Sequence, residues 1–259
     1  MKIIAFGDNC IDNYVFQNKK YVGGCSVNFS VYVRELGVDS AYLGAIGDDE
    51  NGKLILEELK KRNVDVEYVQ VHHGKTAMTN VELINNDRKF IGYDSGVLNN
   101  FVLTEKEKNY ILSHEYLHTS VYGNIEDYLS EIAGKIKICF DFGNKLEYDK
   151  MTYILKYIDY AFFSYEKDDE YIRKFLKRVS SYGVNCVVAT LGENGSIAFD
   201  GDKFYKQDAN KVEVVDTIGA GDSFIAGFMV AVQKYDDISM CLRKGAEKAE
   251  ETIQHFGAL

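Results

Sequence analysis

The run Val214-Val215-Asp216-Thr217-Ile218-Gly219-Ala220-Gly221-Asp222-Ser223 leads into an apolar stretch and gathers residue types that phosphate chemistry uses. Its pattern predicts a strand at Val214 and Val215, a glycine turn, and a helix from Gly221 to Lys234. Glycines let successive backbone N–H groups converge with no Cβ in the way, and a helix N-terminus adds partial positive charge at the same spot. Gly219, Ala220 and Gly221 are therefore a candidate anion hole made without Lys or Arg. Asp222 stands at its mouth, where a carboxylate can take the proton of a hydroxyl that attacks a terminal phosphoryl group. The plain alternative is a helix start in which Asp222 and Ser223 act only as caps. The chain has no Gly-x-x-x-x-Gly-Lys-Ser/Thr loop, so phosphoryl transfer would rest on this turn and not on a lysine cradle.

The same string resembles the C-terminal signature of the ribokinase/PfkB family of carbohydrate kinases, Asp-Thr-x-Gly-Ala-Gly-Asp, and the resemblance extends over nearly the whole chain. Gly7-Asp8-Asn9-Cys10-Ile11-Asp12 looks like the family's first strand and substrate-binding aspartate. Gly23-Gly24-Cys25-Ser26-Val27-Asn28 looks like its Gly-Gly-x-x-x-Asn substrate loop, and Thr190-Leu191-Gly192-Glu193-Asn194-Gly195 like its nucleotide-side turn. The resemblance implies a catalytic base at Asp222 and a sugar site at Asp12, Gly23, Gly24 and Asn28. It also implies a nucleotide site at Ser164, Thr190, Gly192 and Gly195, with ATP and Mg2+ as partners and a monovalent cation beside Asp216. Chemically, Asp12 is an acceptor and Asn28 a mixed donor and acceptor for hydroxyls. The plain readings are a solvated turn carboxylate for Asp12, a helical amide for Asn28, and a strand-to-hairpin turn for Gly192 and Gly195. One departure stands out. Where the family usually has Asn-x-x-Glu, which organises magnesium and phosphate, this chain has Ser164-Tyr165-Glu166-Lys167, with Glu166 the nearest substitute.

Within the family, several short strings resemble the kinases of fructoselysine. They are Gly7 to Cys10, Val81-Glu82-Leu83 with Asn86-Asp87-Arg88, Thr190 to Ala198, and Thr252-Ile253-Gln254. This resemblance implies ATP-dependent phosphorylation of an Amadori sugar at its 6-hydroxyl, with Glu82 and Arg88 offered to the amino-acid portion. Ribose, fructose and adenosine are alternative acceptors, and a non-catalytic sugar-sensing module is a further reading. An NAD-binding oxidoreductase fits less well, because its glycine fingerprint opens the first βα unit whereas Gly219 to Gly221 lie near the C-terminus.

These residues need a scaffold that brings strand ends together. Apolar runs at Lys2 to Phe6, Ala41 to Ile46, Tyr116 to Thr119, Ile136 to Phe140, Tyr160 to Phe163 and Cys186 to Thr190 predict strands. Helices are expected at Ser26 to Leu36, around Leu54 to Leu59, after the Thr104-x-x-Glu107 capping box, near Glu126 to Lys135, and at Gly221 to Lys234 and Ile238 to His255. Repeated βα units mean a mostly parallel central sheet with helices on both faces. The resulting fold class is α/β and ribokinase-like, one domain over residues 1–259. Alternating polarity at Thr76 to Leu83 and Arg88 to Tyr93, around the turn signal Asn85-Asn86-Asp87, predicts an inserted hairpin. With a short aromatic segment at Val15 to Val22 it suggests a small β lid, built from about 12–22 and 76–93, that covers the sugar and pairs with its copy in a homodimer.

The bulk numbers bound the partners. With 259 residues, 46% of them apolar, the chain can bury one large core. A net charge of −10 disfavours nucleic acid and anionic lipid, which are held by clustered cations. Five scattered cysteines without Cys-x-x-Cys pairs predict reduced thiols, and no run suggests a membrane span or signal peptide, so a cytoplasmic protein is expected. His72 and His73 read as loop residues and His118 as a satisfied strand-end residue, while Cys10 and Cys25 carry no mark of a nucleophile. Proline is absent, which leaves glycine, asparagine and aspartate to make the turns.

Overall fold

The computed structural model describes residues 2–84, 87–209 and 212–259, without the side chains of 83, 84 and 87–90. The chain begins with β1 (Lys2–Phe6), β2 (Cys10–Tyr14), β3 (Lys19–Gly23), α1 (Cys25–Glu35), β4 (Asp39–Leu43) and β5 (Ala45–Gly47). It continues through α2 (Glu50–Lys61), β6 (Gln70–His72), β7 (Met78–Ile84), β8 (Asp87–Asp94), α3 (Glu105–Leu112) and β9 (Tyr116–Ser120). Then come α4 (Leu129–Ile132), β10 (Lys137–Asp141), α5 (Met151–Ile154), β11 (Tyr160–Ser164), α6 (Glu170–Ser180) and β12 (Cys186–Thr190). Strands β13 (Ser196–Phe199) and β14 (Phe204–Gln207) precede the long helices α7 (Ala220–Val232) and α8 (Ile238–Ile253).

Eight strands form the central sheet in the order β14-β13-β12-β11-β10-β9-β1-β4. They run parallel from β12 to β4, and β13 and β14 close one edge in antiparallel pairing. Because side chains alternate along a strand, each strand feeds two cores. Ile4 and Phe6 of β1 pack with α3 to α6, whereas Ile3 and Ala5 pack with α1, α2, α7 and α8. Full burial of such side chains contributes about 1.5–3 kcal/mol each, which is why the parallel strands read as continuous apolar runs. Helices α7 and α8 touch through glycine: a Cβ at Gly227 would lie 2.5 Å from the Lys244 carbonyl oxygen.

Segments 12–22 and 76–93 lie in a separate four-stranded sheet, β3-β2-β7-β8, in which β2 and β7 are parallel and the outer pairs antiparallel. Asn85 and Asn86, the predicted turn, fall outside the described residues. Turns elsewhere follow the missing proline, since every described non-glycine residue with positive φ is an asparagine: Asn18, Asn63 and Asn124.

Four expectations need correction. The run Ala41 to Ile46 breaks at Gly44, where a Cβ would overlap the Tyr42 hydroxyl, so β4 joins the large sheet and β5 pairs with β6. The helix expected at Glu126 to Lys135 is a 3-10 turn followed by the single turn α4, stopped by Gly134 at φ +73°. Val214 and Val215 form no strand. Instead the N–H groups of Val215 and Asp216 donate to the Ile253 carbonyl at the end of α8, at 2.8 and 3.2 Å. His118 sits within β9, fully buried and stacked on Phe29 with 4.0 Å between ring centroids, and its Nε2 has no hydrogen-bond partner. Burial pushes its pKa down to about 3, so the ring is neutral.

Candidate active site

Gly219 is the N-cap of α7 at φ +79°, a left-handed conformation that glycine adopts freely. A Cβ there would overlap the Tyr32 hydroxyl and stand 3.0 Å from the Ala258 Cβ. Beyond it the first turn of α7 is open. The Ala220 N–H reaches the Thr217 carbonyl only at 3.3 Å, and the N–H groups of Gly221 and Asp222 have no acceptor among the described residues. A Cβ at Gly221 would meet nothing within 4 Å. Unpaired N–H groups facing open space at a helix N-terminus are what an anion needs.

Asp222 lies at the inner edge of this turn and is buried. Its Oδ2 accepts from Asn28 Nδ2 at 2.8 Å, joining residues 194 positions apart. Asn28 Oδ1 is buried without a partner, an acceptor left over for a ligand hydroxyl. Two further carboxylates converge here from strand ends. Asp8, just past β1, accepts from Cys25 N at 2.6 Å, Ser26 Oγ at 2.9 Å and Ser120 Oγ at 3.1 Å, and so caps the start of α1. Asp141, the last residue of β10, accepts from Gly143 N at 2.8 Å. Ligand atoms of Cys25, Asp141 and Asp222 all lie within 4.8 Å of one another.

Burial pushes the Asp222 carboxyl up to about 8; the Asn28 amide and the Cys25 thiol oppose this, and the negative charges of Asp141 and Asp8 add to it. Asp141 is pushed up to about 6 by burial, partly offset by the Gly143 N–H. The Cys25 thiol is also raised well above its ordinary value, by burial first and by the neighbouring carboxylates second, so it stays protonated and is no nucleophile. A buried carboxyl held near neutrality, beside unpaired N–H donors, is a group placed to exchange protons.

The other sequence-derived residues separate into groups. Asp12 on β2 faces Gly23, where a Cβ would come within 2.5 Å of its Oδ2, so Gly23 makes room for this carboxyl. Gly24 lies at φ +107° against the Asn9 backbone, with a Cβ only 2.6 Å from Asn9 Cα. Both glycines accommodate the protein's own atoms. Ser164 and Thr190 end the adjacent strands β11 and β12, their hydroxyls 3.3 Å apart. Gly192 is open, whereas Gly195 packs under the end of β14, and the turn they flank joins antiparallel β12 and β13. Asp216 is buried, with Oδ1 accepting from Ile218 N at 3.1 Å and Oδ2 from Gly257 N at 2.8 Å, which ties the glycine turn to the C-terminal segment. Glu166 is exposed, and Lys167, a cation where the family pattern has a carboxylate, lies 3.8 Å from Asp169. A hard ion such as Mg2+ takes oxygen ligands and keeps several waters. Asp141, half-buried with one oxygen uncommitted to Gly143, suits that demand.

Asp8, Asp141 and Ser120 were given no site role from sequence, and Cys25 was named only as no nucleophile. The signal that could find them is position: Asp8, Ser120 and Asp141 all lie at the carboxyl ends of parallel strands, where open α/β sheets bind ligands.

The family model described as pfkB family carbohydrate kinase matches residues 1–259. The chain is 38% identical over 261 residues to the fructoselysine 6-kinase of Escherichia coli, covering 100% of both. It is 36% identical to the fructosamine kinase FrlD of Bacillus subtilis, covering 100% of this chain and 93% of that one. Its fold is ribokinase-like: an Escherichia coli protein classed as a ribokinase II, solved in complex with ATP and Mg2+, superimposes with a TM-score of 0.84 at 18% identity, over 99% of this chain and 94% of that one.

Proposed function

The chain belongs to the pfkB family of carbohydrate kinases, and from that premise we propose that it transfers the γ-phosphoryl group of ATP to the 6-hydroxyl of fructoselysine. One observation carries the reaction type: a buried carboxyl, Asp222, beside N–H groups that have no acceptor among the described residues. The acceptor rests on the full-length similarity to two kinases of fructosamine-type sugars.

In this reading Asn28 aligns Asp222 and presents its free Oδ1 to a sugar hydroxyl, while Asp12, beside Gly23 and Gly24, lines the far side of the sugar. As the 6-oxygen attacks the γ-phosphorus, its proton passes to Asp222, and the bond to the leaving ADP oxygen breaks. The turn Gly219 to Asp222 stabilises charge on the transferring group through backbone donors. Ser164, Thr190, Gly192 and Gly195 border the nucleotide. Mg2+, held by Asp141 and waters, would neutralise phosphate charge. A monovalent cation beside Asp216 would steady the glycine turn; turnover unaffected by exchanging K+ for Li+ would remove it. ATP as co-substrate and five free cysteines suit a cytoplasmic setting.

The test of the acceptor is ATP consumption with a panel of sugars, nucleosides and Amadori compounds. Fructoselysine is expected to exceed fructose in kcat/KM by roughly 100-fold or more, because groups built to pair with the amino-acid portion cost about 1–3 kcal/mol each when unmatched. Equal turnover of fructose or ribose leaves a carbohydrate kinase and removes the narrower assignment.

The four-stranded sheet is read as a lid. It exposes Ile91 and Tyr93 on β8, and the 3-10 turn between β2 and β3 exposes Val15 and Phe16, apolar surface that a second copy would cover. A homodimer formed through these sheets is expected by light scattering at micromolar concentration, and a strictly monomeric mass would rule it out.

A further inference from the structure

Beside the carboxylate cluster lies a cavity of about 440 Å³, bounded by the loop after β1, the β4–β5 junction and the loop after β9. It shares a wall with the candidate active site. Gly7 and Gly123 both line it, and a Cβ at Gly7 would lie 2.8 Å from Gly123 Cα and 3.2 Å from Ser26 Oγ, the hydroxyl that holds Asp8. Phe6, Leu98 and Phe101 supply apolar lining, while Glu126 and Asp127 bring negative charge and Lys150 positive charge.

Glu126 is the unusual member. It is only 2% exposed, and none of the chemistry described above uses it. Its Oε1 accepts from the Tyr148 hydroxyl at 2.6 Å, but Oε2 lies 3.8 Å from Lys150 Nζ, whose side chain is 52% exposed. A buried carboxylate is costly to desolvate, and a long, half-solvated ion pair returns little of that cost. A pair held apart at a cavity wall is instead suited to receive a ligand that carries both charges.

We propose that this cavity binds the α-amino-acid end of the acceptor. Glu126 receives the α-ammonium group, Lys150 the α-carboxylate, and the methylene chain runs along Phe6, Leu98 and Phe101. The proposal rests on the fructoselysine reading and deepens it. It moves recognition of the amino acid from the β7–β8 hairpin, where the sequence offered Glu82 and Arg88, to the loop after β9; the Arg88 side chain lies outside the described residues.

The test compares two Amadori compounds as acceptors, fructoselysine and 1-deoxy-1-pentylaminofructose, which keeps the sugar, the linkage and a similar chain but lacks both charges. Wild-type enzyme is expected to prefer fructoselysine by roughly 100-fold in kcat/KM, most of it in KM, since each hydrogen bond to a charged group is worth roughly 10- to 100-fold. Glu126→Gln and Lys150→Met are each expected to shrink that ratio about tenfold or more. A wild-type ratio near one overturns the subsite while leaving the acceptor reading intact, and needs no variant to fold. A Glu126→Gln enzyme that loses activity on both compounds with the ratio preserved also overturns it, by showing a structural role. Turnover of neither Amadori compound, with another sugar phosphorylated, overturns the acceptor reading itself.

Discussion

Asp222→Asn is expected to lower kcat by about 100- to 10,000-fold, the usual contribution of a general base. The substitution keeps size and polarity but removes the proton acceptor. Asn28, which donates to Asp222 at 2.8 Å, would still have an oxygen to meet, so the first turn of α7 should persist and the melting temperature should stay close to wild type. The pH profile supplies an independent check. A base must be ionised to accept a proton, and burial holds Asp222 up at about 8. Wild-type kcat/KM should therefore fall as pH drops below that value, approaching tenfold per pH unit, and the residual activity of Asp222→Asn should lose this acid limb. Near-normal turnover in the variant would sink the assignment.

The two glycines of the anion turn should fail differently. Gly219→Ala places a Cβ into the Tyr32 hydroxyl and imposes φ +79° on a residue that resists it. Left-handed strain of roughly 1–2 kcal/mol and crowding of roughly 1–3 kcal/mol predict a melting temperature lower by about 4–12 °C together with reduced turnover. Tyr32→Phe in the same chain should restore part of the stability by removing the overlapping oxygen, although it also removes the hydroxyl's bond to the Ala258 carbonyl. Gly221→Ala meets no protein atom, and alanine suits a helix better than glycine. Its melting temperature should hold or rise, while kcat/KM for ATP falls by about 100- to 1,000-fold, because the Cβ projects into the space left for the phosphoryl oxygens and displaces them from the N–H donors. A Gly221→Ala enzyme with full activity would show that the phosphate binds elsewhere.

The segment Ser164 to Lys167, which departs from the Asn-x-x-Glu pattern, illustrates how local reading and spatial arrangement differ. Serine at 164 and lysine at 167 leave the end of β11 without the expected amide and carboxylate. In the proposed reading Asp141, which ends the neighbouring strand β10 and lies near Asp222 and Cys25, takes that place. Adjacent strands of a parallel sheet end at the same edge, so a carboxylate on one can stand where another has none.

What the sequence determined by itself is whatever depends on short spacing. The glycine turn and Asp222 are contiguous, the apolar runs of the parallel strands are continuous because both faces are buried, and caps such as Thr104 with Glu107 announce helix starts. Where a run contained a hidden break, at Gly44 or Gly134, the pattern overreached, because periodicity does not show that a position has no room for a Cβ beside the Tyr42 hydroxyl or takes a positive φ after a one-turn helix. Only the tertiary structure decided which residues meet: Asp8, Ser120, Asp141, Asn28 and Asp222 come from five separate segments, and Glu126 reaches the cavity wall from a 3-10 turn in a segment that read as an ordinary helix. The sheet converges strand ends far apart in the chain, and no local pattern carries that convergence. The same burial that brings these carboxyls together sets their protonation, so the chemistry of Asp222 belongs to the fold as much as to its motif.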